Sequence, residues 1–380
     1  MEIIFIIAFI LLINTYLVKS LFNRFNIPSE RYLWTLFIVH FILTSMYFLY
    51  ISNARSDSYG YYDKSLAGTS WIDFFVSGTS FIYFLAYPFV KLLSLSFISV
   101  MLLFSYFGYL AVLLFYIAAI ENVKLNPVWN NLSAIELIFL LPNIHFWTSS
   151  LGKGSVITLG LGLFIFGLSR FNQRILMIII GLFITYMIRP HVFFTLVVST
   201  MIGVFITNSG IKPLFKWTIF FIAIFLFFYL SEDVLKFTNA ESLDVFSSNN
   251  IGHRAVELSK ANSGVDISNY NLALKLFTFW FRPLFVDANG VFGILVSFEN
   301  LFYLYLFGYV IKNIFFTWSK LNGWFRISML IFILGSIILA QITGNLGLAI
   351  RQKAQLMPFF FIVYCKLLSN NQTSNNLKIS

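Results

Sequence analysis

Long runs of apolar residues, separated by short polar segments, dominate the chain. The first run extends from Ile3 to Val18 and the second from Tyr32 to Ile51. A helix needs about 20 apolar residues to cross a bilayer, and shorter runs also cross when flanking side chains reach the interface. The pattern predicts nine further spans, at Phe97–Ile120, Leu132–Trp147, Ser155–Ser169, Ile175–Ile188, Val192–Thr207, Trp217–Leu230, Val291–Ile311, Ile327–Thr343 and Leu356–Leu368. We therefore expect an all-α polytopic membrane protein with about 11 transmembrane helices.

The polar segments between the spans predict the loops. Two of them, residues 52–71 and 231–271, are long enough to be distinct outer loops. Residues 1–369 then form a single transmembrane domain, and we expect the polar tail 370–380 to be disordered and cytoplasmic. The apolar segment Ser80–Leu95 contains a proline and a lysine, so we interpret it as an interfacial or re-entrant helix.

The composition supports the membrane class and excludes several others. Hydrophobic residues make up 59% of the chain and charged residues 11%, whereas a soluble domain is about a quarter charged. This excludes a soluble enzyme, a fibrous protein and a disordered chain. The single cysteine, Cys365, excludes a disulfide framework. The four histidines lack metal-ligand spacing, so we expect neither a metal nor another cofactor.

The net charge of +10 has to be interpreted by side of the membrane, and it does not predict a nucleic-acid partner. Lys and Arg in short loops mark the cytoplasmic side. They gather in four such loops, containing Lys19, Arg24 and Arg31; Arg170 and Arg174; Lys212 and Lys216; and Lys312, Lys320 and Arg326. With these loops inside, the N-terminus lies outside, the C-terminus lies in the cytoplasm, and both long loops are external.

The outer side nevertheless carries cations close to span ends. They are Arg55, Lys64, Lys153, Arg189, Arg282, Arg351 and Lys353. Several lie beside proline or glycine, in MIRPH, WFRPLF and GKG, and proline disfavours helix at the residue before it. Because guanidinium groups match phosphate oxygens, the set predicts an anionic ligand such as a pyrophosphate. The alternative is that these side chains reach lipid headgroups at the interface.

Other residues are candidates for acid–base chemistry and sugar binding. His191 follows Arg189 by two residues, and a histidine there could act as a base. Asp57, Tyr61 and Asp63 lie in the first outer loop, and such side chains suit sugar hydroxyls. Asn345 lies between two glycines that allow close approach of a ligand to the backbone.

The chain resembles the Wzy-type polysaccharide repeat-unit polymerases, in particular the EpsG-like branch of bacterial exopolysaccharide and O-antigen loci. The resemblance rests on stretches that together cover most of the chain. They are SDSYGYYDKSL with SFIYFLAYPFVKLLSLSFISVMLLFS after it, LPNIHFWTSSLGKGSVITLGLGLFIFGL, MIRPHVFF, FRPLFVDANGVFGILVSFENLFYL and TGNLGLAIRQKAQLMPFFFIVY. Each stretch is only loosely similar, because the family is divergent.

The resemblance implies an enzyme of the bacterial inner membrane, active at its outer face. Such proteins join oligosaccharide repeats carried on undecaprenyl pyrophosphate, and their architecture is similar to the helical GT-C glycosyltransferases. It implies that Lys153, Arg189, Arg282 and Arg351 contact pyrophosphate, and we add Lys353 to that set. His191 and Asp57 become candidate catalytic residues, and Asp63, Tyr61 and Asn345 become candidate sugar contacts. Expected partners are the lipid-linked oligosaccharide, the bilayer, and a flippase and chain-length regulator of the same pathway.

Three alternatives stay open at the level of sequence. A GT-C glycosyltransferase that uses a polyprenyl-phosphate sugar would need an acid in the first outer loop, and Asp57 or Asp63 fits. A transporter or flippase for lipid-linked oligosaccharide would place its charges in the middle of the bundle and would favour inverted repeats, which the sequence lacks. An O-antigen ligase would use the same donor and a different acceptor.

Overall fold

The structure, a computed structural model, describes most of the chain. The described residues are 1–207 and 264–379, apart from 26, 53–55, 268 and 289, together with 217, 218, 220 and 221. Several predictions concern residues outside this set: most of the span Trp217–Leu230, most of the outer loop 231–271, and the cations Arg55, Lys212 and Lys216.

The chain divides into two compact units. The N-terminal unit is Met1–Arg189 and the C-terminal unit is Pro190–Ser380. The boundary falls at the Arg–Pro step, where proline prevents a helix from continuing through the preceding residue.

Helices build nearly all of the described chain. In the N-terminal unit they are α1 Glu2–Arg24, α2 Glu30–Ser52, α3 Asp57–Ala67, α4 Ser80–Tyr87, α5 Phe97–Ile120, α6 Ala134–Ile138, α7 Pro142–Trp147, α8 Lys153–Ser169 and α9 Phe171–Ile188. A short antiparallel hairpin, β1 Pro127–Trp129 and β2 Leu132–Ser133, precedes α6. The C-terminal unit contains α10 Pro190–Ile206, α11 Leu272–Phe281, α12 Gly290–Thr317, α13 Gly323–Ile342 and α14 Leu346–Ile379.

Six described helices are long and apolar enough to cross a membrane: α1, α2, α5, α9, α12 and α13. Helices α8 and α10 are apolar but have 17 residues each. The predicted all-α membrane class is therefore confirmed, whereas the count of 11 spans is not. The re-entrant segment is also short, because α4 and the π-helical turn Pro88–Leu92 that follows it comprise 8 and 5 residues.

The prediction of one helix over Leu132–Trp147 is wrong, because this segment forms α6 and α7 with a turn between them. Helix α6 begins after Ser133, whose main-chain N–H donates to the carboxylate of Glu136. Helix α7 begins at Pro142. A proline at that position has no N–H for the carbonyl of Ile138 and would clash with it, so α6 cannot continue.

One end of the N-terminal unit gathers two of the basic loops that the sequence assigns to the cytoplasm. Arg174 donates to both carboxylate oxygens of Glu121, at 2.7 and 2.8 Å. Its guanidinium also lies 3.9 Å from the ring centroid of Phe166 and 5.4 Å from that of Phe25, which follows Arg24 at the end of α1. We call this the basic end. The loop after α1 and the loop between α8 and α9 thus share one end, as predicted.

The other end of the N-terminal unit, which we call the α3 end, contains α3, α4 and the start of α5. The Glu2 carboxylate accepts from the main-chain N–H of Ser96 at 2.8 Å, which joins the start of α1 to the start of α5. The Lys91 ammonium donates to the carbonyl of Leu66 at 2.9 Å and thereby holds the π-helical turn against α3. The segment 52–71, predicted as the first outer loop, therefore contains a packed helix in its described part.

The C-terminal tail begins as a continuation of helix α14. Helix α14 continues to Ile379. The Asn371 amide donates to the hydroxyl of Tyr309 at 2.7 Å and to the side chain of Asn313 at 2.9 Å. These bonds to α12 give the beginning of the tail a helical partner that its polar sequence does not reveal.

Gly108 on α5 provides a test of packing in the N-terminal unit. A Cβ at this position would overlap the main-chain carbonyl of Thr148. We expect Gly108→Ala to lower the stability of the unit by about 1–3 kcal/mol, the usual cost of overpacking. The measurement is the free energy or midpoint of unfolding in detergent. Gly60→Ala on α3 is the matched control, because nothing lies within 4 Å of its Cβ position, and it should be neutral or stabilising by up to about 1 kcal/mol. Equal loss for both variants would contradict the packing.

Candidate functional site

Helix α8 begins in a closely packed turn, and this turn sets the position of Lys153. The N-cap is Gly152, where a Cβ would lie 2.8 Å from a ring carbon of Tyr61. At Gly154 a Cβ would lie 2.5 Å from the carbonyl oxygen of Trp147. Both glycines of the GKG motif are thus required by close contacts, one with α3 and one with the end of α7.

Two of the predicted pyrophosphate contacts lie at the same end of this unit. The Lys153 ammonium donates to the hydroxyl of Thr79 at 2.6 Å. The neighbouring residue, Gly78, donates its main-chain N–H to the carbonyl of Met187 at 2.7 Å. Arg189 follows Met187 by two residues and ends α9. The loop before α4 therefore connects the start of α8 to the end of α9, and it holds Lys153 and Arg189 at the α3 end.

Both predicted Arg–Pro breaks are confirmed in their backbone conformation. Arg189 has φ −150° and ψ 93°, and Arg282 has φ −93° and ψ 151°. Helices α9 and α11 end at the residues before them. Each Arg therefore lies directly after the end of a helix.

The electrostatics around Lys153 favour an anion. Lys153 occupies the first turn of α8, and no side chain caps that helix. The first turn carries main-chain N–H groups without intrahelical acceptors and the positive end of the helix dipole. A cation in this position is unfavourable by itself, whereas an anion bound there would interact favourably with the first-turn N–H groups and with the Lys153 ammonium.

Helix α3 places the predicted polar residues of the first outer loop beside this turn. Asp57 and Tyr61 are four residues apart and therefore share one face of α3. Tyr61 is buried against Gly152, and its ring centroid lies 6.1 Å from that of Tyr83 on α4. Burial, and then the negative charge of Asp57, raise the pKa of Tyr83. Asp63 is exposed on another face of α3.

The C-terminal unit contains a buried lysine, and its hydrogen bonds hold the turn around Arg282. The side chain of Lys353 is 1% exposed. Its ammonium donates to the carboxamide oxygen of Asn300 at 2.6 Å and to the carbonyl of Trp280 at 2.9 Å. The Asn300 amide in turn donates to the carbonyl of Pro283 at 2.7 Å. Lys353 and Asn300 thus fix the backbone on both sides of Arg282.

Charged side chains near this turn balance its cations. The Arg282 guanidinium pairs with the carboxylate of Asp287, which also accepts from the main-chain N–H of Leu284. Glu299 accepts from the hydroxyl of Tyr303 and lies close enough to Lys353 to interact with its charge. Sequence reasoning missed the partners Asp287 and Asn300. An acid five residues after Arg282 was the available signal for the first of them.

The remaining candidates also lie in the C-terminal unit. Asn345 caps α14 by accepting from the main-chain N–H of Leu348 at 3.0 Å, and it pairs with Gly264 through an isolated β-bridge. Arg351 is half-buried two turns into the same helix. His191 is buried at the start of α10.

The chain thus has two clusters of candidate residues. One joins Asp57, Tyr61, Lys153 and Arg189 at the α3 end of the N-terminal unit, and the other surrounds Arg282 in the C-terminal unit.

Comparisons with protein-family models, with curated proteins and with solved structures find no match to the chain. Any function assigned to the protein therefore depends on these residues and on the sequence resemblance.

The role of Asn300 can be tested through stability. Asn300→Leu removes the donor at 2.7 Å from the carbonyl of Pro283 and the acceptor at 2.6 Å from the ammonium of Lys353, which keeps its bond to the carbonyl of Trp280. We expect a loss of about 1–3 kcal/mol. Unfolding followed in detergent measures it. Asn322→Leu is the control in the same unit, because Asn322 is exposed and its side chain makes no cap. If Asn300→Leu is as stable as this control, the proposed hydrogen-bond network does not hold the turn.

Proposed function

We propose that the protein is a polymerase of undecaprenyl-pyrophosphate-linked oligosaccharide repeat units. In this proposal it lies in the bacterial inner membrane, with the α3 end facing outward, the N-terminus outside and the C-terminus in the cytoplasm. The observation that carries the proposal is that the Gly78–Thr79 loop bonds both to Lys153 and to the carbonyl of Met187, two residues before Arg189. Two cations and an uncapped helix start at one end of a membrane unit suit an anionic lipid headgroup.

The pyrophosphate would bind where Lys153 and the first N–H groups of α8 meet Arg189. In the transfer, the bond between the donor sugar's anomeric carbon and the pyrophosphate oxygen breaks. The acceptor hydroxyl oxygen forms the new bond to that carbon, and a base takes its proton. Negative charge develops on the departing lipid pyrophosphate, and fixed cations that oppose this charge lower the barrier. The bonds, the proton and the charge of this reaction balance without a metal ion.

Asp57 is the proposed base of the N-terminal cluster. It is exposed and shares a face of α3 with Tyr61, which contacts the turn before Lys153. A carboxylate there could accept the proton of a sugar hydroxyl. Tyr61 and Asp63 are the proposed sugar contacts on this helix, and His191 is kept as the second candidate base.

The C-terminal cluster would add further contacts to the same class of ligand. Arg282 and Arg351 are half-buried rather than enclosed, so their guanidinium groups are the proposed contacts. Lys353 is enclosed, and its proposed role is to hold the turn that presents Arg282. Asn345 is a proposed sugar contact. The pathway partners of the proposal are a flippase, which supplies repeats, and a chain-length regulator.

A polyprenyl-phosphate-sugar-dependent GT-C glycosyltransferase is the second candidate, favoured by the acid Asp57 on the first outer helix. The two functions differ in product. A polymerase lengthens chains of complete repeats, whereas the alternative enzyme adds one sugar to an unfinished repeat.

Arg189→Ala tests the proposed site. An arginine hydrogen bond to a phosphate contributes about 1.5–3 kcal/mol, so its loss should slow transfer by roughly tenfold to a hundredfold. We expect long polysaccharide chains to disappear while single lipid-linked repeats persist, as measured by gel sizing of the polysaccharide and by analysis of the lipid-linked pool.

Lys64→Ala is the matched control for this experiment, because Lys64 is an exposed cation of the same end and lies outside the cluster. It should retain the wild-type length distribution. A normal ladder from Arg189→Ala at normal protein level would remove Arg189 from the site. Accumulation of incomplete repeats would instead favour the single-sugar enzyme.

A further inference from the structure

A histidine pair is buried inside the N-terminal unit, away from the residues of the proposed transfer. His40 of α2 and His145 of α7 are both 0% exposed. Their Nδ1 atoms lie 3.0 Å apart, which is a hydrogen-bonding distance. His40 lies in the middle of a helix that is long and apolar enough to cross a membrane. Ionisable side chains at such depth are costly and usually serve a function.

The outer nitrogens of the pair both face main-chain carbonyls. The Nε2 atom of His145 lies 2.8 Å from the carbonyl oxygen of Phe139. The Nε2 atom of His40 lies 2.9 Å from the carbonyl oxygen of Ser105. A carbonyl can only accept, so these two contacts favour a hydrogen on each Nε2, and a neutral imidazole has just one N–H. Two neutral rings protonated in this way would bring two bare Nδ1 lone pairs together.

A neutral alternative exists in which His40 adopts the other tautomer. Its Nδ1–H would donate to His145, and its bare Nε2 would need a donor, for which the Ser105 hydroxyl at 3.1 Å is available. This arrangement avoids a charge in a medium of low dielectric constant. It also directs a bare nitrogen at the carbonyl of Ser105, which is the nearer of the two oxygens.

The hydroxyl groups around the pair disfavour that alternative. The Ser149 hydroxyl donates to the carbonyl of His145 at 2.6 Å, and the Thr44 hydroxyl donates to Ser149 at 3.0 Å. The Thr44 hydroxyl has one proton, which it donates either to Ser149 or to the carbonyl of His40 at 2.9 Å. In both cases Thr44 accepts a hydrogen bond from the hydroxyl of Ser105, which lies 2.6 Å away. The single proton of Ser105 is used for Thr44, and none is left for Nε2 of His40.

We propose that His40 and His145 together bind one extra proton, held between their Nδ1 atoms as an imidazole–imidazolium pair. The N–H groups at both outer ends donate to carbonyl oxygens, whose negative ends face the shared positive charge. The proton comes from water and returns to it, so no other reactant is needed.

Several titratable groups surround this site, and each belongs to a helix packed against it. The ring centroid of Tyr109 of α5 lies 6.0 Å from that of His40, and Tyr106 precedes Tyr109 by about one helical turn. Further along the same helices, Tyr32 and Tyr116 interact with the charge of Glu136 on α6. Ser149, at the end of the hydroxyl chain, lies in the turn that leads to α8. The proton site is thus connected to that turn, but it does not depend on the proposed transferase function.

Nitrogen NMR of the intact protein tests the proposal directly. The chain has histidines at positions 40, 145, 191 and 253, so ¹⁵N-histidine labelling gives few signals. The His191→Gln, His253→Gln double variant retains only His40 and His145, so all of its histidine signals are assigned to the pair. The wild-type protein, measured in the same lipid nanodiscs at neutral pH, shows whether the pair is unchanged by these substitutions.

The expected spectrum has two protonated Nε2 signals and a ¹⁵N–¹⁵N coupling between the two Nδ1 atoms across the shared proton. His40→Gln should abolish the coupling and leave a neutral His145 with a bare Nδ1. A bare Nε2 on His40 in the wild-type protein would show the neutral tautomer pair and overturn the proposal. Absence of coupling between the Nδ1 atoms would also overturn it, because the rings would then not share a proton.

Discussion

The close approach of α5 to the turn after α7 is the constraint on which the candidate site in the N-terminal unit depends. Gly108 leaves no room for a side chain against the carbonyl of Thr148, so the chain between α7 and α8 lies directly on α5. That contact sets where α8 begins, and it thereby sets the position of Lys153. It also brings Ser149 beside the buried histidine pair. The contact of Gly108 with the main chain of Thr148 thus underlies the interactions that we assign to function in the N-terminal unit.

Two cations at opposite ends of the N-terminal unit, Arg174 and Lys153, have different surroundings. At the basic end, Arg174 is neutralised by Glu121 and covered by Phe166, so its charge is satisfied internally. At the α3 end, Lys153 has a hydroxyl partner and lies at the positive end of a helix. The positive end of a helix is a place where an anionic ligand binds favourably.

The sequence predicts the membrane class, most helices and the grouping of the first two basic loops, because these depend on long apolar runs and on charge. It also predicts the breaks at Arg189 and Arg282, because proline restricts the residue before it. It does not predict that Pro142 divides a span into α6 and α7. The pairing of His40 with His145, 105 residues apart, depends on tertiary contacts that periodicity does not encode.

Deletion of the gene in its native host is the sharpest test of the proposal that this protein joins lipid-linked repeats. The measurement is the size of the surface or secreted polysaccharide together with the composition of the lipid-linked pool. We expect loss of polymer and accumulation of one complete repeat on undecaprenyl pyrophosphate, with both reversed by the wild-type gene. Polymer of normal length, or a pool that contains only an incomplete repeat, would contradict it.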